Sequence, residues 1–64
     1  MMNVGDRIMV NENAELFYLC EGHIIEVMED GSYLVDLYRG NGRITQEEVN
    51  EYNVYFLEKE LDLI

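Results

Sequence analysis

The chain of 64 residues contains no proline and no tryptophan, one cysteine, one histidine, and only four lysines and arginines. A single cysteine excludes an internal disulfide, and this favours a reducing, cytoplasmic setting. No apolar run approaches the length of a membrane span, and the first residues lack the basic region and apolar stretch of a signal peptide. The sequence therefore predicts a soluble cytoplasmic protein.

Acidic residues are abundant where basic ones are scarce. Fourteen aspartates and glutamates give a formal net charge of −10 and a pI of about 4.1. Because 48% of the residues are apolar, the chain has enough hydrophobicity to fold in spite of this charge. Its length predicts one domain, spanning 1–64, with a thin core and no deep cleft. Direct binding of nucleic acid or an anionic membrane is disfavoured, since either needs clustered basic residues.

The side chains that usually carry out catalysis are few. Ser32 lies in a predicted hairpin turn and Thr45 at a predicted helix cap, so each has a structural role. Cys20 and His23 are three residues apart, but zinc needs four ligands and no second pair is present. The segment 29–31 is explained by a turn and lacks the pattern of a calcium-binding loop. We therefore expect no enzymatic activity, no cofactor and no metal site.

Alternating apolar residues predict a mainly β fold. In the segment 4–10, Val4, Ile8 and Val10 alternate with polar or flexible neighbours, as in a half-buried strand. Two β-branched runs, 23–28 and 33–38, flank Asp30-Gly31, the strongest short signal for a hairpin. That signal predicts a tight turn in which both Asp30 and Gly31 adopt positive φ.

The second half of the chain allows two interpretations. Thr45 and Glu48 match a capping box, which predicts a helix of about two turns over 46–52, with Val49 and Tyr52 on one face. A strand is the alternative, because apolar residues also alternate nearby. The tail, 56–64, predicts a short turn followed by a closing strand.

Four motifs follow one another along the chain. They are Val4-Gly5-Asp6-Arg7-Ile8-Met9-Val10, Gly22-His23-Ile24-Ile25-Glu26-Val27, Asp30-Gly31-Ser32-Tyr33-Leu34-Val35 and Phe56-Leu57-Glu58-Lys59-Glu60-Leu61-Asp62-Leu63. Their order resembles small SH3-like barrels, among them the photosystem I accessory subunit and the variable chain of ferredoxin–thioredoxin reductase. The resemblance covers most of the chain except 38–55. It implies a five-stranded SH3-like barrel, with a short helix or insertion near 46–52, and a docking role.

The arrangement of carboxylates favours a basic partner. Glu58, Glu60 and Asp62 alternate along the tail, and in an extended chain they would lie on one face about 6.8 Å apart. DNA presents a phosphate about every 3.4 Å along each strand, so this row matches alternate phosphates. The net charge also exceeds the magnitude of about 2 to 8 that solubility needs in a small domain.

In size, charge and scarcity of catalytic side chains, the chain is similar to the acidic DNA-mimic proteins of bacteriophages, in particular inhibitors of the bacterial histone-like protein HU. This similarity implies a phage protein of the host cytoplasm that binds a basic DNA-binding protein and blocks its binding to DNA. The residues expected to contact that partner are Glu47, Glu48, Glu51, Tyr52, Tyr55, Glu58, Glu60 and Asp62.

Three alternatives stay open. The SH3-like resemblance implies a docking or accessory subunit of a larger enzyme, with a contact face around Phe17, Tyr18 and Tyr38. Apolar surface at Phe17-Tyr18 and in 52–57 also allows a homodimer. Finally, the carboxylates could form only a solvated surface that keeps the protein soluble.

Overall fold

The computed structural model describes residues 2–49 and 53–64. Five antiparallel strands form one sheet in the order β4-β3-β2-β1-β5, which confirms the mainly β fold class. In the part of the chain described, no helix is both long enough and apolar enough to cross a membrane. The elements are β1 (Arg7–Val10), β2 (Glu21–Val27), β3 (Tyr33–Arg39), α1 (Gln46–Val49), β4 (Asn53–Phe56), a 3₁₀ turn (Glu58–Glu60) and β5 (Leu61–Leu63).

One face of the sheet supplies a single hydrophobic core. Alternate residues of the central strands are completely buried, namely Ile8, Val10, Ile24, Val35 and Leu37. The edge strands contribute Phe56 and Leu61 to the same core, so the sheet curls around it. Val4 is different from the prediction: it is 62% exposed, because it lies in the turn that precedes β1. Gly5, at a φ of 92°, forms that turn and donates its N–H to the carbonyl of Ile24 at 2.7 Å.

The predicted hairpin is confirmed, but its turn is not the predicted one. Met28 and Ser32 pair through an N–H to carbonyl bond of 2.8 Å, and the N–H of Gly31 bonds the Met28 carbonyl at 3.0 Å. Gly31 has a φ of 89°, and Asp30 is not in the positive-φ region. These contacts define a three-residue loop that ends in a left-handed glycine. The expectation of positive φ at both Asp30 and Gly31 was therefore wrong.

Two bulges bend the central strands. The pairing of β2 with β3 shifts between Glu21 and Gly22, and again between Ile24 and Glu26. At the first bulge the strands approach so closely that a Cβ on Gly22 would lie 2.3 Å from the carbonyl oxygen of Asp36. A glycine is therefore required at this position. Bulges increase the local twist of a sheet, which helps it to curl around its core.

The capped segment begins as a helix. Its described part is Gln46–Val49, and the N–H of Glu48 bonds the hydroxyl of Thr45 at 3.2 Å, as the capping pattern predicts. Residues 50–52, which complete the predicted helix, lie outside the described residues. The predicted turn and closing strand of the tail are the 3₁₀ turn and β5.

Candidate protein-binding surface

Two arginines are engaged with one glutamate on the outer face of the sheet. Nη2 of Arg7 lies 3.2 Å from Oε1 of Glu21, and Nη1 of Arg39 lies 3.6 Å from its Oε2. The side chain of Glu21 is only 14% exposed, whereas those of the arginines are largely exposed. Arg7 also donates from Nε to the hydroxyl of Tyr38 at 3.3 Å. Half of the four basic side chains are thus used at this one carboxylate.

Most other carboxylates face solvent without a cation. Within 2–49 and 53–64, Glu21 is the only acidic residue in an ion pair. Nine of the acidic residues described are classed as exposed, and none of the nine has such a pair. They are Glu12, Glu15, Glu26, Glu29, Asp30, Glu47, Glu48, Glu58 and Asp62.

The expected row of carboxylates along the tail does not form. Glu58 and Glu60 lie in the 3₁₀ turn, and only Asp62 lies on a strand, so the strand spacing of about 6.8 Å does not apply to them. The turn forms here because Oε1 of Glu60 accepts the N–H of Leu57 at 2.7 Å, which caps its first residues.

The other two carboxylates of the tail also have partners inside the protein. Oε1 of Glu58 accepts a hydrogen bond from the hydroxyl of Tyr33 at 3.0 Å. Oδ1 of Asp62 accepts one from the side-chain amide of Asn11 at 3.1 Å. Burial of the Tyr33 ring, together with this bond to Glu58, raises the pKa of Tyr33 above its ordinary value of 10. These side chains therefore contribute to the fold as well as to the surface charge.

A groove lies between the tip of the hairpin and the end of β4, and we call it the hairpin groove. Its volume is about 750 Å³. Four carboxylates and several apolar side chains line it, and no lysine or arginine does. The lining residues are Glu26, Val27, Met28, Glu29, Asp30, Ser32, Tyr55, Phe56, Leu57 and Glu60.

A smaller hollow of about 370 Å³ adjoins the hairpin groove. The two share Tyr55, Phe56, Leu57 and Glu60, while the far wall of the hollow comes from residues 13–17. Lys59 lines this hollow. Tyr55 is 61% exposed and Leu57 52% exposed, so they form an apolar ridge between the two depressions.

The residues predicted to contact a partner are spread over several elements. Tyr55 and Glu60 both line the hairpin groove, and Glu58 is in the adjoining 3₁₀ turn. Glu47 and Glu48 lie on α1, which packs against β3, and Asp62 lies on β5 at the opposite edge of the sheet. Glu51 and Tyr52 lie outside the described residues.

Several lining residues of the groove were missed in the sequence. Glu29 and Asp30 were explained by the turn and were not among the predicted contacts, and Val27 and Met28 were not considered as surface. The available signal was a run of three acids in the segment 26–30 beside a hairpin turn. That run meets Tyr55 and Glu60 only because the strand order places β4 beside β3.

The chemically reactive side chains make contacts within the fold. The Ser32 hydroxyl donates to Oδ1 of Asp30 at 2.6 Å, and this bond lowers the pKa of Asp30. Cys20 is completely buried, and burial raises the pKa of its thiol. The His23 ring lies 5.7 Å from that of Tyr38 between centroids. In the described part of the chain, no three ligating side chains come together as a metal site would require.

Comparison with protein-family models, with curated proteins and with solved structures found no match to the chain. Surface charge and shape are accordingly the observations from which a function can be proposed.

Proposed function

We propose that this protein is an acidic DNA mimic, which binds a basic DNA-binding protein such as the histone-like protein HU and blocks its binding to DNA. Its carboxylates take the place of phosphates against the partner's lysines and arginines. The protein competes with DNA for one basic surface, so it needs no catalytic group and no cofactor.

The observation that carries this proposal is the surplus of exposed carboxylates without cations. Arg7 and Arg39 are both engaged by Glu21, so they do not neutralise any of the nine exposed acids. A net charge of −10 on a domain of 64 residues opposes its own compaction. A cationic partner would relieve that repulsion on binding, and it would be attracted from a distance at low salt.

Displacement of DNA from purified HU tests the proposal. A fluorescently labelled duplex is bound to HU, and the acidic protein is added while anisotropy is recorded at roughly 50 and 200 mM salt. We expect the free-duplex anisotropy to return at the lower salt, with a weaker effect at the higher one. An unrelated acidic protein of similar pI serves as the control. Retention of the duplex on HU at low salt, even with excess acidic protein, would contradict mimicry.

One observation favours the second candidate, a docking subunit. The loop 11–20 exposes Leu16, Tyr18 and Leu19 by 67%, 48% and 48%. Phe17 and Leu19 have φ values of 67° and 65°, a region that residues other than glycine adopt at a cost of about 1–2 kcal/mol. Because the backbone keeps this unfavourable conformation and exposes apolar side chains, the loop is suited to an apolar contact with another protein. Such a complex would survive salt of several hundred millimolar, because apolar burial is not screened.

The three residues expected for that docking face do not have equivalent surroundings. Phe17 packs edge-on against Phe56 with the ring centroids 6.5 Å apart, and Tyr38 accepts a hydrogen bond from Arg7. Tyr18 is thus the most exposed of the three, and the docking candidate depends on it together with Leu16 and Leu19.

A further inference from the structure

We infer that the hairpin groove receives a basic segment of the partner that also carries apolar side chains. This inference rests on the proposed function, because it names the surface and the chemistry through which the acidic protein would hold its partner. The occupant is a stretch of chain in which lysines or arginines alternate with apolar residues.

Charge complementarity identifies a cationic occupant. The groove is lined by Glu26, Glu29, Asp30 and Glu60, with no basic residue among its lining. Three of these four are exposed, and the side chain of Glu29 has no hydrogen bond within the described protein. An uncharged segment would leave the side chain of Glu29 without a partner, and an acidic segment would be repelled. A lysine or arginine can reach them from the solvent side without a large desolvation cost.

The apolar lining indicates that the occupant is not basic alone. Val27 is 45% exposed, and it shares the groove with the exposed Tyr55 and Leu57. Tyrosine at such a position contributes contact area with little loss of conformational entropy, and the aliphatic stems of lysine and arginine can lie along apolar surface. The groove therefore favours a segment that brings both charge and apolar area.

The adjoining hollow provides an internal comparison. It shares the Tyr55–Leu57 ridge but has Glu15, Glu60 and Lys59 as its charged side chains. The hairpin groove has twice as many carboxylates and no cation, so the field at the groove is the more negative of the two. A second copy of this chain does not suit the groove, since it would bring another charge of −10.

Two synthetic peptides of equal charge test the occupant. One alternates lysine with leucine and the other alternates lysine with serine, and each is titrated into the ¹⁵N-labelled protein. We expect amide shifts from the first peptide to concentrate in 26–32 and 55–60. Replacing leucine by serine should weaken binding by about tenfold or more, the equivalent of losing about one buried apolar side chain. Equal affinities, or shifts spread over all acidic segments, would overturn the inference.

A matched pair of charge reversals tests the location. Glu29→Lys lies in the groove and Glu12→Lys lies outside both depressions, while each changes the net charge from −10 to −8. We expect about a tenfold loss of affinity for the lysine–leucine peptide with Glu29→Lys and less than about threefold with Glu12→Lys. Circular dichroism confirms that both variants are folded. Because Glu29 lies in a turn, Glu26→Lys on β2 serves as a second groove variant.

The outcomes separate the groove from the proposed function. If both reversals weaken peptide binding equally, while wild-type protein still displaces DNA from HU, the groove is not the site and mimicry stands. If the wild type fails to displace DNA but binds the lysine–leucine peptide in the groove, the inferred surface is supported and its partner is of another kind.

Discussion

At the scale of the residue, the carboxylates of this protein differ in what they contact. Glu60 caps a turn through the N–H of Leu57, and Asp30 holds the hairpin loop through Ser32. Glu12 and Glu29 are exposed and have no such bond among the described residues. Substitutions of the first kind, at Glu60 or Asp30, remove a hydrogen bond that stabilises the fold. Substitutions of the second kind, at Glu12 or Glu29, change the electrostatic field at the surface. Binding experiments are therefore best made with the second kind.

Gly22 lies where the neighbouring strand leaves no room for a side chain. A methyl group there would lie 2.3 Å from the carbonyl oxygen of Asp36, which is part of β3 and cannot move independently. We expect Gly22→Ala to lower the free energy of unfolding by about 2–3 kcal/mol, in the upper range for overpacking. Gly42→Ala is the control, because its added methyl group meets open space and should change stability by less than about 0.5 kcal/mol. Urea unfolding measures both, and equal effects would refute the close approach.

Ionisation of Tyr33 should lower the stability of the protein at alkaline pH. Its pKa is raised above 10 because the ring is buried and its hydroxyl bonds Glu58, so the folded state keeps the proton longer than the unfolded state. The stability from this group is complete below the unfolded pKa and is lost as pH rises through the folded pKa. Between about pH 9 and pH 11, the melting temperature should fall less in Tyr33→Phe than in the wild type.

The control for this pH dependence is Tyr55→Phe, since that side chain is 61% exposed. It should follow the wild-type decline. A Tyr33→Phe variant that loses stability as steeply as the wild type would show that another group causes the alkaline loss.

At the scale of the element, the hairpin of β2 and β3 is the centre of the structure. Its loop depends on Gly31, whose φ of 89° is unfavourable for residues with a side chain. Gly31→Ala should lower the free energy of unfolding by about 1–2 kcal/mol, whereas Gly31→Asn should cost less, because asparagine tolerates the left-handed region better. Equilibrium unfolding of the pair tests this order. Equal losses would mean that contacts of the loop, and not its φ, decide its stability.

The elements that the sequence predicted are those determined by interactions between residues close together in the chain. The hairpin followed from Asp30-Gly31 between β-branched runs, and the cap followed from Thr45 and Glu48. The fold class followed from alternation, since Ile8 and Val10 are buried as predicted, although Val4 is exposed. In each case the signal lies within a few residues of the feature that it predicts.

Other features could not be predicted from neighbouring residues in the sequence, because they depend on how distant strands pair. The bulge at Gly22 depends on how β3 approaches β2, and the hairpin groove depends on the pairing that brings β4 beside β3. Tyr55 and Glu60 were among the contacts predicted from the sequence, but their acidic neighbours Glu26 and Glu29 were not. The tail was predicted to present an even row of charges, but Glu60 bonds back to Leu57 and starts a 3₁₀ turn instead.

At the scale of the whole molecule, self-repulsion should limit stability. Because the exposed carboxylates lack cations, screening by salt should stabilise the fold. We expect the melting temperature at neutral pH to rise between roughly 10 and 200 mM sodium chloride, by about 4–8 °C for each kcal/mol of repulsion removed. Near the pI of about 4.1, where the net charge vanishes, the same salt series should have little effect. A melting temperature that falls with salt at neutral pH would indicate that attractive ion pairs dominate.

We propose that an excess of exposed carboxylates without cations holds a basic partner in place of DNA. The most direct test is the dependence of affinity on salt, measured by calorimetric titration of the protein into purified HU over a series of salt concentrations. Mimicry predicts that the logarithm of the association constant falls steeply and linearly with the logarithm of the salt concentration, as it does when phosphates bind the same partner. An affinity that is measurable but independent of salt would contradict the claim and favour apolar docking through the loop 11–20.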